Sequence, residues 1–330
     1  MKDCNGFSGN GGWYKGNLHS HTTISDGMLT PEECVALYKQ NGYHFLCLSE
    51  HDVYTDFRAE FNDDAFIILP GIEYSAILYK DASKDKRSRL KLHHIHGILG
   101  TEAMQRAAPD GLFSHMQHVE PLVYTGDWPG AAAAQEMAAM LHRHGCITTY
   151  NHPVWSRVAG EDFYGTQGLC ALEVFNFNTV QESGTGYNTS HWDAMLRAGT
   201  RINALACDDN HNEGLFEDSC GGWISLQAPE LTHDAVIGAL ISGNYYSSSG
   251  PEIYAWGIRD GVAYVECSAV NRITFISGNY INDGYTALGE PFEDTLTRAE
   301  NRLKGHETYL RIECTDAYGR TAWTNPIYPG

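Results

Sequence analysis

The feature that most restricts this chain is where its histidines and carboxylates fall. Asn17-Leu18-His19-Ser20-His21-Thr22, Ser49-Glu50-His51-Asp52 and Cys207-Asp208-Asp209-Asn210-His211 stand where strands should end, and whole helix-and-strand units separate them. Side chains alternate along an extended strand, so His19 and His21 point the same way and can reach one ion. Asp209 and His211 repeat that spacing. The chain must therefore bring several strand ends to one point. A parallel α/β sheet or barrel with its active residues at strand C-termini does this.

The intervening segments fit such a fold. Thr30-Pro31-Glu32-Glu33 reads as an N-cap, a proline at the first helical position and a capping-box glutamate, opening a helix that stops near Gly42. Phe45-Leu46-Cys47-Leu48 is a short buried strand delivering His51 and Asp52. Ala65-Phe66-Ile67-Ile68-Leu69 is another, leading through Pro70-Gly71 to Glu73. Residues 131 to 144 form a helix by propensity, and residues 146 to 150 a strand ending at Asn151-His152-Pro153. Strands at Leu172-Glu173-Val174-Phe175 and Ile202-Asn203-Ala204-Leu205-Ala206 flank a helix from about residue 190 to 197. After a helix at 232–241 and a strand at 245–247, short β-rich runs follow Gly250-Pro251, divided by Gly, Asn and Asp. The expected division is a polar, flexible segment 1–12, a catalytic unit 13–249 and a small β-sandwich-like domain 250–330.

Charge and composition exclude some functions. A net charge of −19 is incompatible with sequence-independent nucleic-acid binding, which relies on Lys and Arg neutralising phosphates. It leaves room for a small anionic substrate, because a metal cluster reverses the local field. No run approaches the ~20 apolar residues of a membrane span. The opening residues lack the apolar core of a signal peptide, which predicts a cytoplasmic protein. Nine scattered cysteines without a C-x-x-C pair read as buried thiols. Oligomeric state is not legible.

Trp13-Tyr14-Lys15-Gly16-Asn17-Leu18-His19-Ser20-His21-Thr22 with Ser25-Asp26-Gly27 resembles the opening motif of the PHP (polymerase and histidinol phosphatase) superfamily. Ser49-Glu50-His51-Asp52, Gly71-Ile72-Glu73, Tyr150-Asn151-His152-Pro153 and Asp209-Asn210-His211 resemble its later motifs, in order, over about residues 13 to 249. Ala322-Trp323-Thr324-Asn325-Pro326-Ile327 is similar to the terminal strand of the CehA/McbA-type subgroup. The resemblance implies a distorted (β/α)7 barrel with two to three divalent ions, commonly zinc, manganese or iron. The implied ligands are His19, His21, Asp26, His51, Glu73 as a bridge, one histidine of His93-His94-Ile95-His96, His152, Asp209 and His211. His94 and His96 share a strand face and either fits, with His94 favoured. The Asp-x-His spacing selects Asp209 over Asp208.

The residue chemistry agrees. Imidazoles with carboxylates suit zinc, iron and manganese better than magnesium or calcium. Six histidines and three carboxylates carry about −3 against about +6 for three dications, leaving a cationic pocket in an acidic protein. The plain alternative for each histidine taken singly is a satisfied polar core residue. Beyond the ligands, Asp52 is a candidate catalytic partner that fixes a ligand or hydrogen-bonds a nucleophilic water. Arg157 is a candidate phosphate or carboxylate clamp, with a surface arginine as the alternative. Asn151, Asn176 and Asn178 are candidate substrate-orienting amides. The basic stretch Lys80, Lys84, Lys86, Arg87, Arg89 and Lys91 reads as a solvated loop, or else as a lid attracting anions. His115 and His118 fall outside every motif and read as surface residues, and His142 and His144 sit in the last turn before Gly145, where the helix dipole accounts for them.

Two enzyme classes follow, with a non-catalytic binding module as a third. The first is a metal-dependent phosphoesterase on a small phosphorylated molecule, using a metal-bridging hydroxide. The second is a carboxylic or carbamic ester or amide hydrolase using the same site.

Overall fold

The computed structural model describes residues 2–7 and 10–329. Within the expected flexible segment, residues 1, 8 and 9 lie outside the described residues, while Cys4–Asn5 forms a two-residue strand. The fold is mixed α/β.

Seven strands surround the site: β1 (Gly12–Asn17), β2 (Phe45–Leu48), β3 (Ile67–Tyr79), β4 (Arg89–Leu99), β5 (Cys146–Tyr150), β6 (Leu169–Asn176) and β7 (Asn203–Cys207). Each is hydrogen-bonded to the next in sequence order. The two ends of the row meet just beyond β1 and β7. Ser20 and Asn210 form a parallel bridge, Asp209 N donates to His19 O at 2.9 Å and His21 N to Asn210 O at 3.1 Å.

The strands run parallel except β4, which is antiparallel to both β3 and β5. Here the structure departs from the all-parallel pattern. The β3–β4 connection is too short for the crossover a parallel neighbour needs, so the chain returns as a hairpin. Pro70 does not break β3, which runs through Pro70-Gly71 to Glu73 and beyond. It is the last partner of β2, opposite Leu48, and the ladder with β4 begins at Gly71, so its missing N–H falls between the two ladders.

The longer helices among the described residues are α1 (Pro31–Gln40), α2 (Ala131–Arg143), α3 (Phe177–Ser183), α4 (Thr189–Arg197) and α5 (His233–Ser242). Thr30 caps α1 through the full capping box with Glu33, as its sequence predicts. Among the described residues, no helix is long and apolar enough to cross a membrane. All nine cysteines are free thiols, six of them buried.

Strand alternation explains where the site lies. On one face of each strand, apolar residues at one end give way to ligand-type residues at the other: Phe45 and Cys47 to His51, Ile67 and Leu69 to Glu73, Ala171 to Glu173, Leu205 and Cys207 to Asp209. In reversed β4 the order inverts, with His94 and His96 preceding Ile98. The apolar halves pack with Val236, Ile237 and Leu240 of α5 into one core cluster. The ligand-type halves therefore gather at the opposite end.

The sheet continues from β1 through β8 (Trp223–Ala228) to β9 (Tyr245–Ser248). Beyond residue 250 come β10 (Ile253–Arg259), β11 (Val262–Val270), β12 (Arg272–Ser277), β13 (Tyr285–Leu288), β14 (Leu296–Arg302), β15 (Leu310–Thr315) and β16 (Thr321–Thr324). Cys4–Asn5, β10, β11 and β14 make a separate four-stranded sheet, whereas β16, β15, β12 and β13 extend the main sheet from β9. Ile253, Trp256 and Val265 from the first layer pack with Ile273, Phe275 and Ile312 from the second. This region thus has its own core and shares a sheet with the rest.

Candidate metal centre

The extended segment after β1 carries His19 and His21, both buried. The chain then folds back around Glu50, whose carboxylate accepts from Thr22 Oγ1 at 2.6 Å and from Ser25 N and Oγ at 3.2 and 2.5 Å, and this presents Asp26. Asp52, His152 and Asp209 have φ of +54°, +24° and +56°, unusual for non-glycine residues, so several strand ends are held in strained turns at this one place.

Glu73 stands at the centre. Its Oε1 lies 3.1 Å from His19 Nε2 and 3.3 Å from His152 Nε2, and its Oε2 lies 2.9 Å from His51 Nδ1 and 3.1 Å from His94 Nδ1. Asp209 Oδ1 is 2.9 Å from His19 Nε2 and 3.0 Å from His21 Nε2, and those two ring nitrogens are 3.1 Å apart. Asp26 Oδ1 lies 3.4 Å from both His51 Nε2 and His211 Nε2. His96 Nε2 is 3.8 Å from Glu73 Oε1. The donor atoms fall into four groups, each compact enough for one ion: His21, Asp26, His51 and His211; His19, His152 and Asp209; His19, Glu73 and His96; His51, Glu73 and His94. Ligand atoms about 2.0–2.1 Å from a tetrahedral ion sit about 3.3 Å from one another, the spacing found here.

Several of these atoms are buried without a hydrogen-bonding partner: His51 Nδ1, Glu73 Oε2, Asp209 Oδ1 and both nitrogens of His96. They approach each other closely but are not oriented to donate and accept. Orphaned polar atoms of this kind are rare, and a shared cation satisfies them together. The donor set therefore fits divalent metal.

The electrostatics point the same way. Burial alone would raise the Glu73 and Asp209 carboxyls, but the histidines around them, His94 and His19 for Glu73 and His19 for Asp209, hold both well below the usual range. Burial works against a charged His211, yet Asp26 and Asp209 raise it to about 9. Burial, with His51 and His211, pushes His21 down to about 3, and burial takes His94 down to about 4. Ligation needs every imidazole neutral, so metal binding would release protons from His19, His51, His152 and His211, whose values are raised.

A further ring of contacts orients the ligand-type groups. His19 Nδ1 meets Glu173 Oε1 at 2.9 Å, and Glu173 Oε2 accepts from His152 N at 2.9 Å. Asn151 Nδ2 donates to Glu73 Oε1 at 2.7 Å, and Asn176 Nδ2 to both Glu173 Oε2 and Asp209 Oδ2 at 2.9 Å. Asp218 Oδ2 accepts from the backbone N–H of His211 and Asn212 at 2.7 and 2.9 Å. A cavity of about 490 Å³ opens above, lined by Asp26, His51, Asp52, His94, His152, Asp209 and His211 among others. Asp52 Oδ1 accepts from Ser75 N at 2.8 Å, and burial pushes its carboxyl up to about 6.

All the expected ligands are brought together, and where one of His94 and His96 was expected, both face the cluster. His93 faces away, bonded to Tyr150 Oη and Gly130 O. Asp208 also turns away, accepting from Cys220, Gly221 and Gly222 backbone N–H groups. Other expectations need correction. Arg157 is exposed and outside the cavity lining, because Ser156 takes the inward position in that turn, at 3.0 Å from His152 Nδ1. Asn151 and Asn176 are fully buried and bind carboxylates of the cluster, so neither is open to substrate. Asn178 does line the cavity, as do Lys86 and Arg89 of the basic stretch. Nothing in the sequence motifs marks Glu173, Asp218 or Glu50 as supporting residues of the site. Glu173 had a signal, a carboxylate within the buried run Leu172-Glu173-Val174-Phe175.

No family model and no curated protein matches the chain. Among solved structures, it is similar to a two-domain protein from Bacteroides vulgatus containing a predicted PHP-like metal-dependent phosphoesterase, at 13% identity and TM-score 0.45, covering 99% of this chain and 97% of that one. A candidate metal-dependent phosphoesterase from Bifidobacterium adolescentis matches at 14% identity and TM-score 0.38, over 68% of this chain and 95% of its own. An amidohydrolase from Chromobacterium violaceum, with bound sulfate and no metal, matches at 15% identity and TM-score 0.40, over 70% and 96%.

Proposed function

We propose that this chain is a metal-dependent hydrolase of the PHP type, a distorted (β/α)7 barrel with a C-terminal β-domain, and that it acts as a phosphoesterase on a small phosphorylated molecule. The carrying observation is the Glu73 carboxylate set between histidine groups, with Oε2, His51 Nδ1 and Asp209 Oδ1 buried and unpartnered. The ten ligand-type residues would hold about two to three ions of zinc, manganese or iron, which supply Lewis acidity and an activated water when bound. Glu73 and Asp209 are kept ionised by the histidines around them, ready to ligate. Asn151 and Asn176 hold those carboxylates in place. Asp52, fixed at Oδ1 by Ser75 N–H, lines the cavity beside His51, where it can hydrogen-bond a water or the substrate.

The placement of Arg157 outside the cavity favours a second reading, hydrolysis of a carboxylic or carbamic ester or amide, which needs no phosphate clamp. Metal analysis of the purified protein, with p-nitrophenyl phosphate and p-nitrophenyl acetate hydrolysis under added Mn²⁺ or Zn²⁺, separates the two. Phosphate ester turnover with bound metal supports the first, and turnover of the acetate alone supports the second. Absence of metal and of any metal-dependent turnover defeats both.

A further inference from the structure

The cavity over the candidate centre has unlike walls. One is the hairpin formed where β3 and β4 run on past His94, through the pairs Ile77–Leu92, Leu78–Lys91 and Tyr79–Arg89. Its turn is shaped by its own side chains. Asp81 Oδ1 accepts from Ser83 N at 2.9 Å, Asp85 Oδ1 accepts from Arg87 N at 2.8 Å, and Lys80 N donates to Ser88 O at 2.8 Å. The two carboxylates of the turn are thus bound to backbone, and Lys91 is tied to Asp162 at 2.8 Å. Lys86 and Arg89 line the cavity and have no ion-pair partner among the described residues.

The loop after His211 adds Leu215 and Phe216 to the lining, together with the carboxylates Glu213 and Asp218. Trp155 lines it as well, its ring 5.1 Å from that of His152 and its Nε1 donating to Glu182 Oε2. The cavity thus offers two places for negative charge, the candidate metal centre and the Lys86 and Arg89 side chains in its lining. In a protein of net charge −19, two cations without ion-pair partners in one cavity lining make that part of it attractive to an anion.

On the hydrolase reading above, we propose that Lys86 and Arg89 form an anion subsite, and that the preferred substrates are small esters carrying a carboxylate or phosphate group beyond the scissile bond. Arg89 can grip such a group with two parallel N–H bonds while Lys86 adds a point charge. The subsite acts on whichever ester the centre hydrolyses.

The test compares kcat/KM of the metal-loaded protein for phenyl phosphate against 4-carboxyphenyl phosphate, and for phenyl acetate against 4-acetoxybenzoate. The carboxylate also changes the leaving group, but that effect is common to wild type and variants, so the change in the ratio reads the contact. The Lys86→Gln/Arg89→Gln double variant should lower the carboxylated-to-plain ratio by about tenfold or more, chiefly through KM. Raising ionic strength should lower it in the wild type. Lys84→Gln, on the same turn but outside the cavity lining, should retain the ratio. An unchanged ratio in the double variant overturns the subsite, and an equal fall in Lys84→Gln overturns it in favour of a diffuse field. If no ester is turned over, the hydrolase reading fails separately. The subsite is then judged by calorimetric binding of phenyl phosphate against 4-carboxyphenyl phosphate to the same proteins, by the same criterion.

Discussion

Glu173 is buried, holds His19 through Nδ1 and His152 through its backbone N–H, and belongs to none of the four donor groups. Such a carboxylate fixes the ring and tautomer of its histidine and raises its basicity toward a metal. Glu173→Gln keeps the shape and removes the charge. Metal affinity, read by competition with a chromogenic chelator, should fall by about 10–100-fold while the far-ultraviolet circular dichroism stays that of the wild type. Wild-type affinity in the variant would show that the remaining contacts alone fix His19. At this scale the sequence is uneven. His19, His21, Asp209 and His211 are legible because the two members of each pair share one local stretch, whose period puts them on one side. Glu173 escapes because its partner His19 lies 154 residues away, and only the fold brings them together. Arg157 misleads because a turn of a few residues after His152 can send a side chain either way, and here Ser156 has the inward place.

The loop from the end of β7 to the start of β8 carries Asp209, His211 and Asp218, and Asp208 ties its two ends to each other and to α1. Asp208 accepts from Cys220, Gly221 and Gly222 N–H at 2.8, 2.9 and 2.7 Å, and from Tyr38 Oη of α1 at 2.7 Å. Asp208→Asn would turn an amide NH₂ toward some of these donors and leave them unpaired in a buried site. A loss of about 2–4 kcal/mol is expected from the midpoint of urea unfolding, together with weaker metal binding because His211 and Asp209 lose their support. A midpoint equal to the wild type's would mean that the loop is held elsewhere. Elements with strong local signals are readable from sequence, as the Thr30–Glu33 box and the apolar run of β2 show. Reversed β4 is hidden because its outer half reads as a basic loop, and β14 because Leu296–Arg302 alternates charged and polar residues on an exposed face.

At the scale of the molecule, strands far apart in sequence depend on one centre. β1, β2, β5 and β7 deliver their ligand-type residues just past their ends, β3 and β4 from within, and β6 supplies Glu173. The C-terminal region braces the same strands. Asn325 Oδ1 accepts from Ala204 N of β7 at 2.8 Å, Trp323 lies 5.7 Å from Phe175 of β6 ring to ring, and Arg311 sits 4.5 Å over Trp192 of α4. A division at residue 250 is visible in composition, but these contacts cross it, and although Trp323 and Asn325 stand in the terminal-strand motif, their partners in β6 and β7 are not legible until the sheet from β9 to β16 is known. Metal binding only the folded form adds about 2.7 kcal/mol at a hundredfold excess over Kd, so each ion should raise the midpoint of thermal unfolding by about 5 °C. Because the bracing contacts join the two regions, that shift should move the whole transition, read alike by tryptophan fluorescence and circular dichroism. A chain ending at residue 249 loses Asn325, Trp323 and Arg311 together, and should neither fold cooperatively nor retain metal through gel filtration. Two separate transitions in the full chain, only one of them metal-sensitive, would show instead that the β-region folds alone and that the seam between the regions carries little of the stability.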